Sequence, residues 1–174
     1  WDRATKNLYQ DTKDMYDLSS DGLMNCLDAV ARRSRESGWA IFTIPNSAVP
    51  PANKNLITEY GDLTQEHVKT AAKVTFDITP VSREAQEEGQ MFACINNSLT
   101  QGAVDVLNLR EEDFLITLTN GTTEYSGTAY LRVIIAEAQV DTRATTNLLL
   151  GQLTSGLPDL MEKNRSNIKL FNNE

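Results

Sequence analysis

The sequence predicts a mainly α protein, a single-domain helical bundle of about six or seven helices with one small β-hairpin near residues 114–125. Two patterns lead to this prediction. In most segments, apolar residues recur at helical spacing after a Ser, Thr or Asp that can serve as an N-cap. In residues 114–125, apolar residues instead alternate with polar or smaller ones around Asn120-Gly121, which is typical of a two-residue hairpin turn.

The N-terminal part is expected to form an arm followed by the first helix. Residues 1–19 mix polar and aromatic residues without a clear period. The apolar side chains of this arm that are expected to dock on the core are Trp1, Leu8, Tyr9, Met15 and Tyr16. The helix takes Asp21 as its N-cap and ends at Gly38. Charged residues near its carboxyl end are expected to face solvent: Arg32, Arg33, Arg35 and Glu36.

The middle of the chain alternates between loops and helices. Pro50 and Pro51 exclude a helix and predict an exposed, extended loop. A helical turn is expected over residues 56–60, and Thr64, Ser82 and Thr100 are expected to cap the next three helices. Two further helices are expected between residues 127 and 153, separated by Val140-Asp141-Thr142.

The first of these last two helices is apolar on more than one narrow stripe, so it is expected to be buried on most sides. Ser126 or Thr128 is its expected N-cap, and Asp141 is the expected N-cap of the second. Across the chain, the residues predicted to build the structural core are Leu27, Val30, Phe92, Ile95, Leu99, Val133, Ile134 and Leu149.

Three regions are predicted along the chain: an arm at 1–19, the helical domain at 20–155, and a linker with the start of another helical segment at 156–174. A chain that opens at Trp1 without an initiator Met is expected to be a piece of a longer protein. Cys26 and Cys94 occupy apolar helical positions, and we expect two reduced, buried thiols.

The composition limits the classes of partner. Hydrophobic residues make up 40% of the chain and charged residues 23%, which is ordinary for a globular protein. The formal net charge of −8 disfavours binding to nucleic acid or to an anionic membrane surface. No apolar run approaches the roughly 20 residues that a membrane-spanning helix needs.

The motifs of common catalytic and metal sites are missing from the sequence. There is no phosphate-binding loop and no GxGxxG, and His67 is the single histidine. The carboxylate runs at Glu87-Glu88 and at residues 111–113 stand among polar residues, so we interpret them as solvated faces. We therefore predict no catalytic residue, no metal site and no cofactor.

The order of several segments resembles one known family. Trp39 and Ile44-Pro45 are followed by NLITEYGDLTQEHVKTAA (55–72), FACINNSLTQGAVDVL (92–107), SGTAYLRVIIAEAQVDTRATTNLLLGQL (126–153) and NIKLFNN (167–173). This series resembles the Gag-like, capsid-coding region of long-terminal-repeat retrotransposons, especially Copia-type elements of diatoms and other microalgae. The resemblance covers residues 38 to 174, and its strongest match is the VII…VDT.AT pattern of residues 133–145.

The resemblance implies a fold like a retroviral capsid N-terminal domain and a structural role without an active site. Copies of the parent protein would self-assemble through helical faces, with hexamers and pentamers, into a cytoplasmic virus-like particle around element RNA. The zinc knuckle and the protease DTG motif of such polyproteins are missing here, so RNA binding is expected from another part of the parent protein. No membrane partner is expected.

Two other interpretations stay open from the residues alone. A domesticated, Gag-derived domain could keep this fold and bind a protein partner as an adaptor. An enzyme built on scattered carboxylates is the third interpretation. Measurement of the mass in solution separates self-assembly from adaptor function, and titration with a divalent metal tests the third.

Overall fold

The structure is a computed structural model that describes residues 3–9, 11–40, 42–44, 53–78, 82–140, 146–147 and 150–151. Contacts divide the chain into two compact units, Trp1–Ala138 and Gln139–Glu174. In the second unit, residues 139–140, 146–147 and 150–151 are helical. The core and the sites below belong to the first unit.

The described residues contain five α-helices: α1 (Leu23–Ser37), α2 (Gln65–Ile78), α3 (Arg83–Asn96), α4 (Gln101–Asn108) and α5 (residues 127–140). The mainly α prediction is confirmed, and within the described residues the helices are fewer than the expected six or seven. Residues 56–59 form turns and a bend that lead into a short 3₁₀ turn, Tyr60–Asp62, which ends at the extended backbone of Leu63. Most of the last predicted helix, residues 141–153, lies outside the described residues.

Side-chain caps begin three of the helices as predicted. Ser82 Oγ accepts a hydrogen bond from Ala85 N at 3.1 Å, and Thr100 Oγ1 accepts one from Ala103 N at 3.3 Å. At the start of α2, Thr64 Oγ1 accepts from His67 N while His67 Nδ1 accepts from Thr64 N, a reciprocal arrangement like a capping box. His67 therefore has a capping role.

The ends of α1 differ in how well the sequence predicted them. Gly38 ends the helix in the left-handed conformation, at φ 73°, and its N–H bonds to Ser34 O, as expected. The predicted N-cap Asp21 is wrong, because Gly22 occupies that position and no side chain caps the helix. The ring of Tyr16 lies 3.0 Å from where a Cβ on Gly22 would stand, so the arm, rather than a capping side chain, covers this helix end.

Two small antiparallel sheets accompany the helices. β1 (Thr43–Ile44) pairs with β2 (Lys54–Asn55), and β3 (Leu115–Thr117) pairs with β4 (Thr123–Tyr125). The β3–β4 hairpin confirms the prediction near 114–125. The Pro50-Pro51 loop between β1 and β2 lies outside the described residues.

The turn of the β3–β4 hairpin is one residue longer than expected. Leu118 N donates to Thr122 O at 2.8 Å, which encloses three loop residues, and Gly121 N donates to Leu118 O at 3.0 Å. Gly121 has φ 86°, so the loop has the features of a type I turn followed by a left-handed glycine. Asn120-Gly121 fits both kinds of loop, which is why the pair predicted the hairpin but not its length.

The core surrounds α5. The apolar residues of α5 with an exposed fraction of 1% or less are Ala129, Tyr130, Leu131, Val133, Ile134, Ile135 and Ala138. Burial on nearly all sides agrees with the wide apolar pattern of this helix. A smaller cluster lies under the hairpin, where Ile116 and Leu118 pack with Phe76 of α2 and Ala85 of α3. No helix within the described residues is both long and apolar enough to span a membrane.

Candidate functional site

The buried carboxylate of Glu88 is the most unusual polar group of the structure. Glu88 is 2% exposed, and its Oε2 accepts hydrogen bonds from Ser126 Oγ at 2.9 Å and Thr128 N at 3.0 Å. Its Oε1 accepts one from Thr128 Oγ1 at 2.8 Å. Ser126 Oγ in turn accepts from Ala129 N at 3.0 Å, which makes Ser126 the N-cap of α5. The Glu88 carboxylate and the Ser126 hydroxyl thus accept hydrogen bonds from backbone N–H groups at the amino end of α5, which have no partner within the helix.

Burial raises the pKa of the Glu88 carboxyl above its ordinary value, although the hydrogen bonds from Thr128, Ser126 and the Gly127 backbone act in the opposite direction. A raised carboxyl pKa beside two hydroxyl groups is a pattern found in acid–base sites. Here, however, Ser126 is fully buried and Thr128 is 1% exposed, so a substrate has no access to the group. We conclude that the cluster joins α3 to α5.

Gly127 explains why this junction is so tight. A Cβ atom at this position would lie 2.6 Å from Met91 Cβ, 2.6 Å from Phe92 N and 2.7 Å from Glu88 O. The backbones of α3 and α5 therefore meet with no room for a side chain. The sequence alone did not indicate a close approach at Gly127.

Glu87 joins α3 to the carboxyl end of α1. It is 4% exposed, and its carboxylate accepts from Ala40 N at 2.8 Å and from Arg83 Nε at 2.8 Å. Arg83 also donates to Gly38 O at 2.8 Å. The interpretation of Glu87-Glu88 as a solvated face was therefore wrong, because both carboxylates are buried and accept a hydrogen bond from the backbone of a distant segment. By contrast, Glu111 and Glu112 are exposed, as expected.

Within the described ranges, no group of three or more His, Cys, Asp or Glu side chains could hold a metal ion. Cys26 and Cys94 are both free and buried, and burial raises the pKa of each thiol to about 11. At neutral pH these thiols are protonated, which makes them poor nucleophiles.

The predicted core residues take the following places. Buried side chains are those of Leu27, Val30, Ile95, Leu99, Val133 and Ile134. Phe92 is half-buried and stacks on Tyr125, with ring centroids 4.6 Å apart and an interplanar angle of 7°. The predicted core residue Leu149 and the predicted helix cap Asp141 lie outside the described residues.

The outer face of α4 is the candidate functional surface. Val106 is 45% exposed and Leu109, which continues the helical backbone as the C-cap, is 85% exposed. Gly102 lies four residues before Val106, and nothing within 4 Å would meet a Cβ there. The spacing i, i+4, i+7 places all three on one side of the helix. We call Gly102, Val106 and Leu109 the α4 surface.

The opposite side of α4 fixes this surface in place. Ala103 and Leu107 are buried in the main core, and Thr100 caps the helix. The sequence analysis missed the α4 surface because it gave no role to Val106 or Leu109. The available signal was Leu109, which the helical period places on the other side of the helix from Leu107, with Val106 three residues before it.

Comparisons with known proteins identify no relative: no family model, no curated protein and no solved structure matches this chain.

Proposed function

We propose that this chain is a non-catalytic structural domain that self-associates through the α4 surface. The observation that carries the proposal is the exposure of Leu109 and Val106 on a helix whose opposite side is buried. Removal of such apolar side chains from water is the main driving force of protein association. A helix held by its own core presents these residues without an ordering cost at each contact.

The proposal specifies weak contacts repeated in an assembly. α4 has only eight residues, so two copies meeting there would bury less than the roughly 1,200 Å² of a stable pair. A single contact of this size is transient, and many such contacts give a shell. This agrees with the resemblance of the sequence to Gag-like capsid regions, which adds a virus-like particle in the cytoplasm as the setting.

RNA would be held by another part of the parent protein. The net charge of −8 gives this chain little attraction for phosphates. In the parent protein, an acidic domain such as this one would form the shell, and a basic segment elsewhere would bind the RNA. Measurement of nucleic-acid binding by this chain at low salt is expected to show none.

Light scattering over a range of protein concentrations tests the proposal. We expect the weight-average mass of the chain to rise with concentration, and we expect Val106→Asp with Leu109→Asp to remain monomeric over the same range. Val74→Asp on α2 is the control, because Val74 is exposed to a similar degree as Val106, at 52% against 45%. Its mass is expected to follow that of the unchanged chain.

Two results would overturn the proposal. The unchanged chain could stay monomeric at high concentration at every salt concentration, which would favour the adaptor role instead. Alternatively, the α4 variant could associate as strongly as the Val74→Asp control, which would place the contact elsewhere.

A further inference from the structure

The N-terminal residues 3–9, here called the arm segment, are held to α1 through their backbone. Arg33 donates hydrogen bonds to three carbonyl oxygens of this segment: Arg3 O at 3.1 Å, Lys6 O at 2.9 Å and Asn7 O at 3.3 Å. The side chain of Arg33 is only 16% exposed, so the prediction that it faces solvent was wrong. A buried guanidinium that bonds several carbonyls holds a peptide backbone almost independently of its side chains.

α3 and the turn after it also bond this segment. Cys94 Sγ donates to Lys6 O at 3.1 Å, and Asn97 Nδ2 donates to Thr5 O at 3.1 Å. Ser98, which is 1% exposed, accepts from Leu8 N at 2.8 Å and donates to Cys94 O at 2.6 Å. We call the surface formed by Arg33, Cys94, Asn97 and Ser98 the arm groove.

Apolar anchoring of the arm segment is small. Leu8 is its one buried apolar side chain within the described residues, while Ala4 and Tyr9 are packed only in part. Cavities of about 630 Å³ and 430 Å³ adjoin the segment, and each is lined by residues of both the arm segment and α1. Segments with few buried apolar contacts open locally at low cost.

We propose that the arm groove is a peptide-binding groove and that the arm segment of a second copy can occupy it in exchange for the chain's own. The same hydrogen bonds form whichever copy supplies the backbone, so exchange loses no contact. Leu8 supplies the one buried apolar side chain and fixes the register of the arm segment in the arm groove. Because the partner is a second copy of this chain, the inference rests on the proposed self-association and adds a second contact to it.

A labelled peptide with the sequence of residues 1–10, WDRATKNLYQ, tests the groove with the full chain as receptor. Leu8→Asp in the full chain weakens its own arm but leaves the groove residues unchanged. In the unchanged chain the arm competes at the high effective concentration of a tethered ligand. We therefore expect fluorescence anisotropy to show at least about tenfold tighter peptide binding by the Leu8→Asp chain than by the unchanged chain. Leu8→Ala provides a milder variant of the same kind.

Two substitutions on α1 give the matched controls. Arg33→Ala, added to the Leu8 variant, is expected to abolish peptide binding, whereas Arg35→Ala on the exposed side of the same helix leaves it unchanged. A peptide carrying Leu8→Asp is expected not to bind. The proposed groove would be contradicted if the unchanged chain and the Leu8→Asp chain bound the peptide with equal affinity, or if binding persisted after Arg33→Ala.

Exchange between copies is measured separately in the Val106→Asp, Leu109→Asp chain, which lacks the α4 surface. After prolonged incubation at a concentration above the range used for light scattering, followed by rapid dilution, we expect a dimer fraction that Leu8→Asp removes. A purely monomeric chain in this experiment would contradict exchange. Peptide binding does not depend on α4, so failure of the groove and failure of the proposed α4 contact give different results.

Discussion

Gly127 gives the sharpest prediction about a single residue. Gly127→Ala is expected to destabilise the protein by about 1–3 kcal/mol, because the new methyl group would collide with backbone atoms of α3 that cannot rotate away. Chemical denaturation of both proteins measures this loss as a lower free energy of unfolding.

Gly102→Ala on α4 is the control for this prediction. Its Cβ would meet nothing within 4 Å, and alanine is favoured over glycine in a helix by about 1 kcal/mol. The two glycine substitutions are therefore expected to change stability in opposite directions. Equal effects would mean that α3 and α5 do not approach as closely as the structure shows.

Single residues also show where sequence reasoning reached its limit. The burial of α5 could be predicted from its sequence because a helix buried on all sides carries apolar residues on all sides. The burial of the Glu88 carboxylate could not be predicted, because its partners Ser126 and Thr128 lie 38 and 40 residues further along the chain. A carboxylate that is satisfied by distant donors has the same local sequence context as a solvated one.

At the level of elements, the junctions between helices depend on α3. Glu87 bonds the carboxyl end of α1, and Glu88 bonds the amino end of α5. Two consecutive residues of one helix thus connect it to two others. The Ser and Thr caps that begin α2, α3 and α4 were predictable because capping is local. The helix–helix contacts were not, because they depend on how distant segments meet.

The Glu88 junction predicts how stability varies with pH. The folded-state pKa of Glu88 is raised above the ordinary 4.5, so between these two values the folded state binds more protons than the unfolded state. This carboxyl therefore contributes stability that is fully present below the unfolded pKa and is lost as pH rises through the folded pKa. Urea denaturation across the acidic to neutral range is expected to show this decline.

Glu88→Gln is expected to remove that part of the pH dependence, since an amide does not titrate. Glu84→Gln, an exposed carboxylate in the first turn of the same helix, is the matched control and is expected to keep the decline. Identical pH profiles for the Glu88→Gln protein and the unchanged protein would show that Glu88 is not the responsible group.

For the whole molecule, net charge and the apolar α4 surface act in opposite directions on self-association. Each copy carries a formal charge of −8, so approaching copies repel each other, while contact at Val106 and Leu109 attracts them. Salt screens the repulsion, since the Debye length falls from about 30 Å at 0.01 M to about 10 Å at 0.1 M, but it does not weaken apolar contacts. At fixed protein concentration, we therefore expect light scattering to report a higher mass as salt increases. The Val106→Asp, Leu109→Asp chain is expected to stay monomeric at both salt concentrations. A mass that falls with added salt would instead show that ion pairs hold the copies together, and the α4 surface would not be the contact.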